Sequence, residues 1–230
     1  MNGTAMNWMM VGRLIQKDWY LNRMPILFSM VGGMVTIAAV AAMHGSLLAM
    51  VMGIIIVTSL LVGMGAMVTM SAVVERRQHT LPFVMSLPIS YREYTTSKIV
   101  GGLLIFLVLW GAMTADIVGT ILLAPGLPHG LIPFVVIMCV EILMTTCLVI
   151  TVAVTTESQG WAIVATQFGG LGVNGIGWSI VRFHEIGGTM TSATVRWSGT
   201  ATTLLTAELA VIALMIATTF FIQSRKRDFI

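Results

Sequence analysis

The first long pattern in the chain is a run without charge. From Met24 to Val74 there is no Asp, Glu, Lys or Arg. A bilayer crossing takes about 20 mostly apolar residues, so this run holds two crossings. His44-Gly45-Ser46 is the natural turn between them. The pattern predicts span one over about 25–43 and span two over about 47–72. A polar stretch, Glu75 to Lys98, follows. Ile99 to Ala124 is apolar except for Asp116 and predicts span three, about 99–123. Pro125-Gly126-Leu127-Pro128-His129-Gly130 is a turn cluster. Span four is expected over about 132–154, with Glu141 inside it. A short polar break at 155–160 precedes span five, about 161–181. Span six, about 200–222, contains Glu208, and Arg225-Lys226-Arg227-Asp228 closes the chain. The expected fold is an all-α membrane protein of six transmembrane helices, forming one transmembrane domain over 1–230.

Residues 7–23 have a different pattern. Trp8, Val11, Leu14, Ile15, Trp19 and Leu21 alternate with Arg13, Gln16, Lys17, Asp18 and Arg23. This predicts an N-terminal amphipathic helix lying in the membrane interface. A simple extension of span one is the other reading.

Composition narrows the class. The chain is 57% hydrophobic and 9% charged, against roughly 25% charged in soluble domains. Too few charges remain to cover a water-facing surface, which excludes a soluble enzyme and a disordered chain. The net charge of +3 reflects topology, not nucleic-acid binding. With six spans, Arg13, Lys17, Arg23, Arg76, Arg77, Arg92, Lys98, Arg225, Lys226 and Arg227 share one side, and only Arg182 and Arg196 face the other. The positive-inside rule then places both termini and the 75–98 loop in the cytoplasm.

That loop carries the most information. Its polar start gives way to Leu81, Phe83, Val84, Met85 and Leu87, then to Pro88. Ser90 and Glu93 fit a capping box opening a second short helix, Tyr91 to Lys98. An apolar patch framed by charges on a cytoplasmic loop is a docking surface, unless it folds back onto the membrane.

The order Glu75-Arg76-x-x-x-Thr80-Leu81-x-x-x-x-Ser86-Leu87-Pro88-Ile89-Ser90-x-x-Glu93-Tyr94, closed by Lys98, resembles the loop between the second and third spans of type-2 ABC transporter permeases. The opening Leu14-Ile15-Gln16-Lys17-Asp18-Trp19 is similar to that family's N-terminal element. Many members have Gly where this chain has His79. The resemblance implies an export subunit of a bacterial cytoplasmic (inner) membrane. It would pair with a second permease, identical or related, and sit in membrane lipid above two copies of a separate ATPase. It also implies that the loop supplies a cytoplasmic coupling helix, with Glu75, Arg76, His79, Thr80, Phe83 and Leu87 facing the ATPase. Arg77 and Gln78 would flank that helix, and the 155–160 loop would add a second contact. ATP and Mg would belong to the partner, because the chain has no GxxxxGK[ST] pattern. No cofactor, metal or nucleic acid is expected on this chain, and no catalytic residue.

Asp116, Glu141 and Glu208 are ionisable residues inside predicted spans, where a charge costs about 2.5–3.5 kcal/mol on the insertion scale. Counted from the ends of their own spans, each lies roughly 10–14 Å below the outer surface. They would line a shared polar pathway, or each would be tied separately to neighbouring polar groups. If they couple to protons, a stand-alone secondary transporter or channel is the alternative function. Span five holds Gln167, Gly169, Gly170, Gly172, Asn174, Gly175 and Gly177. Its small-xxx-small spacing permits close helix approach, and its glycines allow a break near 172–178. Gly169, Gly170 and Asn174 are candidates for a dimer or gate contact, which is where the resembled family places this span. Packing within one subunit is the other reading.

Other patterns carry less. His184-Glu185-Ile186-Gly187-Gly188 lacks the second His of a zinc-protease motif, and no Gly-x-Ser-x-Gly occurs. Met64, Met67 and Met70 form a stripe that packing explains better than copper. Cys139 and Cys147 are two helical turns apart and read as buried thiols.

Overall fold

The computed structural model describes residues 8–43, 47–77, 91–124 and 126–225. All regular structure among them is helical. Helix α1 spans Trp8–Ala42, α2 Leu47–Arg77, α3 Tyr91–Leu123, α4 Ile132–Thr156, α5 Gln159–Arg182, α6 His184–Gly187 and α7 Gly199–Arg225. A 3-10 turn, His129–Leu131, leads into α4.

Four segments are long and apolar enough to cross a membrane: Trp8–Ala42, Thr96–Leu123, His129–Thr156 and Gly199–Gln223. They correspond to the expected spans one, three, four and six. The described apolar part of α2, Gly53–Thr69, is shorter. Helix α5 has 24 residues, but its glycines, Gln167 and Asn174 dilute its apolar content.

Helix α4 is the hub. It packs against α2, α3, α5 and α7, while α1 lies along α3 and α2. The larger core, with Ile26, Leu61, Phe106, Leu109, Met113 and Ile142, joins α1, α2, α3 and α4. Close approach at two glycines sets this packing. A methyl group on Gly65 would stand 2.7 Å from the Thr146 hydroxyl, and one on Gly169 would stand 2.4 Å from Thr145 Cγ2. Many other large apolar side chains point outward. Phe28, Phe168, Leu171, Trp178 and Leu214 are all exposed, while Asp18, Lys98, Glu141 and Glu208 are buried. That inversion suits a bilayer as solvent, since lipid covers apolar surface without cost and polar groups must find partners inside.

Three expectations change. Residues 8–23 are not a separate interfacial helix but the first half of α1, which runs unbroken through Pro25. Its 35 residues reach about 52 Å at 1.5 Å each, beyond a hydrocarbon core of about 30 Å. The charged half is therefore the overhang of one long helix, anchored by its packing on α3. In the same way Tyr91–Lys98 is not a second short helix but the start of α3, with Glu93 in its first turn. Finally, α5 shows no break at 172–178. The Asn174 amide donates to the Gly170 carbonyl at 2.8 Å and the Ser179 hydroxyl to the Gly175 carbonyl at 2.8 Å. Polar side chains that would have opened the helix are thus returned to it.

Candidate functional site

Two polar sites emerge, at different levels of the bundle. The first lies where α3 begins, at the end of the bundle that carries the 77–91 connection. Lys98 Nζ donates to both oxygens of Asp18, at 2.8 and 3.0 Å. Both residues are buried. Asn22, one turn along α1, turns its amide back to the Asp18 carbonyl at 2.8 Å, and Ser97 does likewise to Tyr94. The ammonium also stands 5.8 Å from the Tyr94 ring centre. A buried ion pair repays its desolvation only with good geometry and further hydrogen bonds, and this one has a forked contact. It locks the overhang of α1 to the base of α3. The sequence shows Asp18 and Lys98 as isolated charges beside apolar runs. Their pairing, 80 residues apart, leaves no local signal beyond the opposite signs.

Only the start of the expected coupling surface falls among the described residues. Glu75 and Arg76 lie in the last turn of α2, which ends at Arg77. His79, Thr80, Phe83 and Leu87 lie outside the described residues. The other expected contact loop is short: Glu157 and Ser158 alone join α4 to α5, with Glu157 in the left-handed region at φ 56° and its N–H bonded to the Ala153 carbonyl at 3.0 Å.

The second site lies between α4 and α7. Glu141 is 2% and Glu208 8% exposed. The two helices run parallel in a register fixed by two side-chain bonds. The Thr219 hydroxyl donates to Thr151 Oγ1 at 2.8 Å, and the Gln223 amide to the Val154 carbonyl at 2.7 Å. That register brings Glu208 level with Glu141 on the neighbouring helix. Oε2 of each is buried without a hydrogen-bond partner.

Asp116 does not share this site. The Trp110 indole donates to the Cys139 carbonyl at 2.7 Å, which sets the level of α3 against α4. Asp116 lies six residues beyond Trp110, while Glu141 is level with the turn before it, so the two differ in height by about 9–12 Å. Equal depths, counted from the ends of separate spans, gave three carboxylates on one level; the true register separates one from the other two. The described residues enclose a pocket of about 200 Å³ bounded by Ile37, Val57, Leu61, Ile121, Phe134 and Met138, and none of the three carboxylates borders it.

The span-five candidates divide between two faces. Gly169 is buried with Ala162, Ala165, Val173, Gly177 and Ile180. This stripe lies against α4, with Gly169 over Thr145 and Gly177 over Met138. Gly169 therefore serves packing inside the chain. A methyl group on Gly170 would meet nothing within 4 Å, and Asn174 is exposed on the outer face with Phe168, Leu171 and Trp178.

Among the described residues, no three His, Cys, Asp or Glu side chains gather as a metal ligand set. Glu185 of the zinc-protease-like stretch instead accepts a hydrogen bond from Thr200, tying α6 to α7. Cys139 and Cys147 are buried free thiols. In comparisons with protein-family models, curated proteins and solved structures, no match to the chain was found.

Proposed function

We propose that this chain is the transmembrane permease subunit of an ATP-driven exporter of the type-2 ABC class. It would dimerise and couple to a separate ATPase to move an amphipathic substrate (a drug, peptide or lipid-like molecule) out of the cytoplasm or inner leaflet. In this reading α2 and α5 complete six spans, both termini are cytoplasmic, and the membrane is the bacterial cytoplasmic one. The observation that carries the reading is the Glu75–Lys98 pattern, seated between two long helices. Its first residues end α2, and its last, Lys98, is locked to Asp18 on α1.

The mechanism follows from that placement. ATP binding closes two ATPases beneath a permease dimer and pushes the 78–90 segment. The push enters α2 and α3 together, because the segment joins them. The Asp18–Lys98 lock passes it to α1 as well, so three helices move as one body. Packed helices respond to such a push by discrete rigid shifts.

The test is purification of the tagged chain from its own membranes in a gentle detergent. The expected result is a Walker-motif ATPase in equal amount, lost with Phe83→Asp and with Glu75→Arg. Recovery of the intact, folded permease without any ATPase, in several detergents and in nanodiscs, would overturn the proposal.

A further inference from the structure

The α4–α7 contact holds two carboxylates and no counter-charge. Helix α4 contains no Lys, Arg or His, and α7 contains only Arg225 at its last residue. The other elements packed on these two carry their titratable groups elsewhere, beginning with His129 on the 3-10 turn, twelve residues before Glu141. On α2 these are Glu75, Arg76 and Arg77 at its end. On α3 they are Arg92, Glu93 and Lys98 at its base, and Asp116 about two turns away. On α5 the group is Arg182 at its end, and on α6 they are His184 and Glu185, the latter engaged by Thr200. The rest of the α4–α7 contact is apolar: Val140, Cys147 and Ile212, with Trp110, Leu205 and Met144 packed against them. Two bare carboxylates in such a place repel each other and have each lost the water that would offset their charge.

From the level register, the burial of both side chains and the two unpartnered Oε2 atoms, we infer that Glu141 and Glu208 form a binding site for one monovalent cation held between them. A single cation between the two carboxylates removes their repulsion and satisfies both orphaned oxygens. The donor set suits a proton best. A proton needs only two facing oxygens, whereas a divalent ion such as calcium takes 6–8 oxygen ligands, and this pair can supply four at most. Sodium is the other monovalent candidate. The pair titrates as a unit, so its behaviour belongs to both residues together.

The inference does not rest on the ATPase partnership and fails or stands by a separate measurement. The full chain is purified into lipid nanodiscs, and infrared difference spectra of the carboxyl region are recorded while pH is stepped in sodium-free buffer, then while sodium is added. The proton arm predicts a protonated-carboxyl band that responds to pH, persists in sodium and is abolished by Glu141→Gln and by Glu208→Gln. The sodium arm predicts a carboxylate band that shifts on sodium addition and one tightly held sodium per chain, both lost in the same variants. Asp116→Asn leaves either signal in place. Circular dichroism confirms that each variant stays helical, and Glu141→Asp, which keeps the charge, retains a cation response if Gln at that position unfolds the chain. A carboxyl region that responds to neither cation, or a response unchanged in both Gln variants, would overturn the inference.

Discussion

At the scale of single residues, the Asp18–Lys98 pair makes the sharpest energetic claim. Removing one partner of a buried ion pair strands the other charge, which costs about 3–5 kcal/mol, whereas replacing both with apolar residues is often near neutral. Asp18→Ala and Lys98→Ala should each lower stability by about that amount, and Asp18→Leu with Lys98→Met should recover most of it. A double-mutant cycle on denaturation in nanodiscs reads this directly; additive losses would mean the two do not interact. The sequence made these charges visible but not their meeting. It likewise marked Glu141, Glu208 and Asp116 as costly intramembrane groups. It could not order them by height, because height was counted from helix ends that each carry an error of a turn. Hydrogen bonds at Thr151–Thr219, Val154–Gln223 and Trp110–Cys139 supply the register that composition lacks.

At the scale of elements, α5 shows how one glycine-rich helix serves two faces. Gly169 presses on Thr145, a β-branched side chain with little rotamer freedom on a helix. Gly169→Val should therefore overpack the α4–α5 contact and cost about 1–3 kcal/mol. Gly170→Val, one residue away, meets open space and should leave the melting temperature within a degree or two of the parent. Thermal scans of the two variants in the same detergent check the contrast; equal losses would mean the buried stripe is misassigned. In the proposed permease dimer, Gly170→Trp should instead weaken self-association, read by single-molecule subunit counting. The small-xxx-small spacing was legible from the start. Which of its two registers faced α4 was not, because Ala165/Gly169 and Thr166/Gly170 fit equally well. Helix α1 taught a related lesson. Charge interleaving over 7–23 is the same for an interfacial helix and for the overhang of a long one. Only the partner helix, α3, distinguishes them.

At the scale of the whole molecule, the all-helical fold and the order of its long helices among the described residues were legible from apolar runs and turn clusters, because uncharged stretches near 20 residues have few alternatives. Among the described residues, four helices are long and apolar enough to cross a membrane. The crossings by α2 and α5 bear the rest of the topological claim. In a chain lacking its own cysteines, Ser158→Cys should react with a membrane-impermeant maleimide only after the cytoplasmic side is opened. Thr189→Cys should react in intact cells. Labelling of both from one side would mean that α5 does not cross, and six spans would fall with it.

In the proposed function the chain is driven by a partner's ATP hydrolysis through the 75–98 segment. The most direct measurement is ATP hydrolysis by the complex purified from native membranes and held in nanodiscs, comparing the parent with Phe83→Asp. The account predicts hydrolysis that co-migrates with the chain, in a complex of two permeases and two ATPases, and at least a tenfold loss in the variant, equivalent to about 1.4 kcal/mol or more of coupling. A folded chain that migrates without ATP hydrolysis, or hydrolysis indifferent to Phe83→Asp, would contradict it.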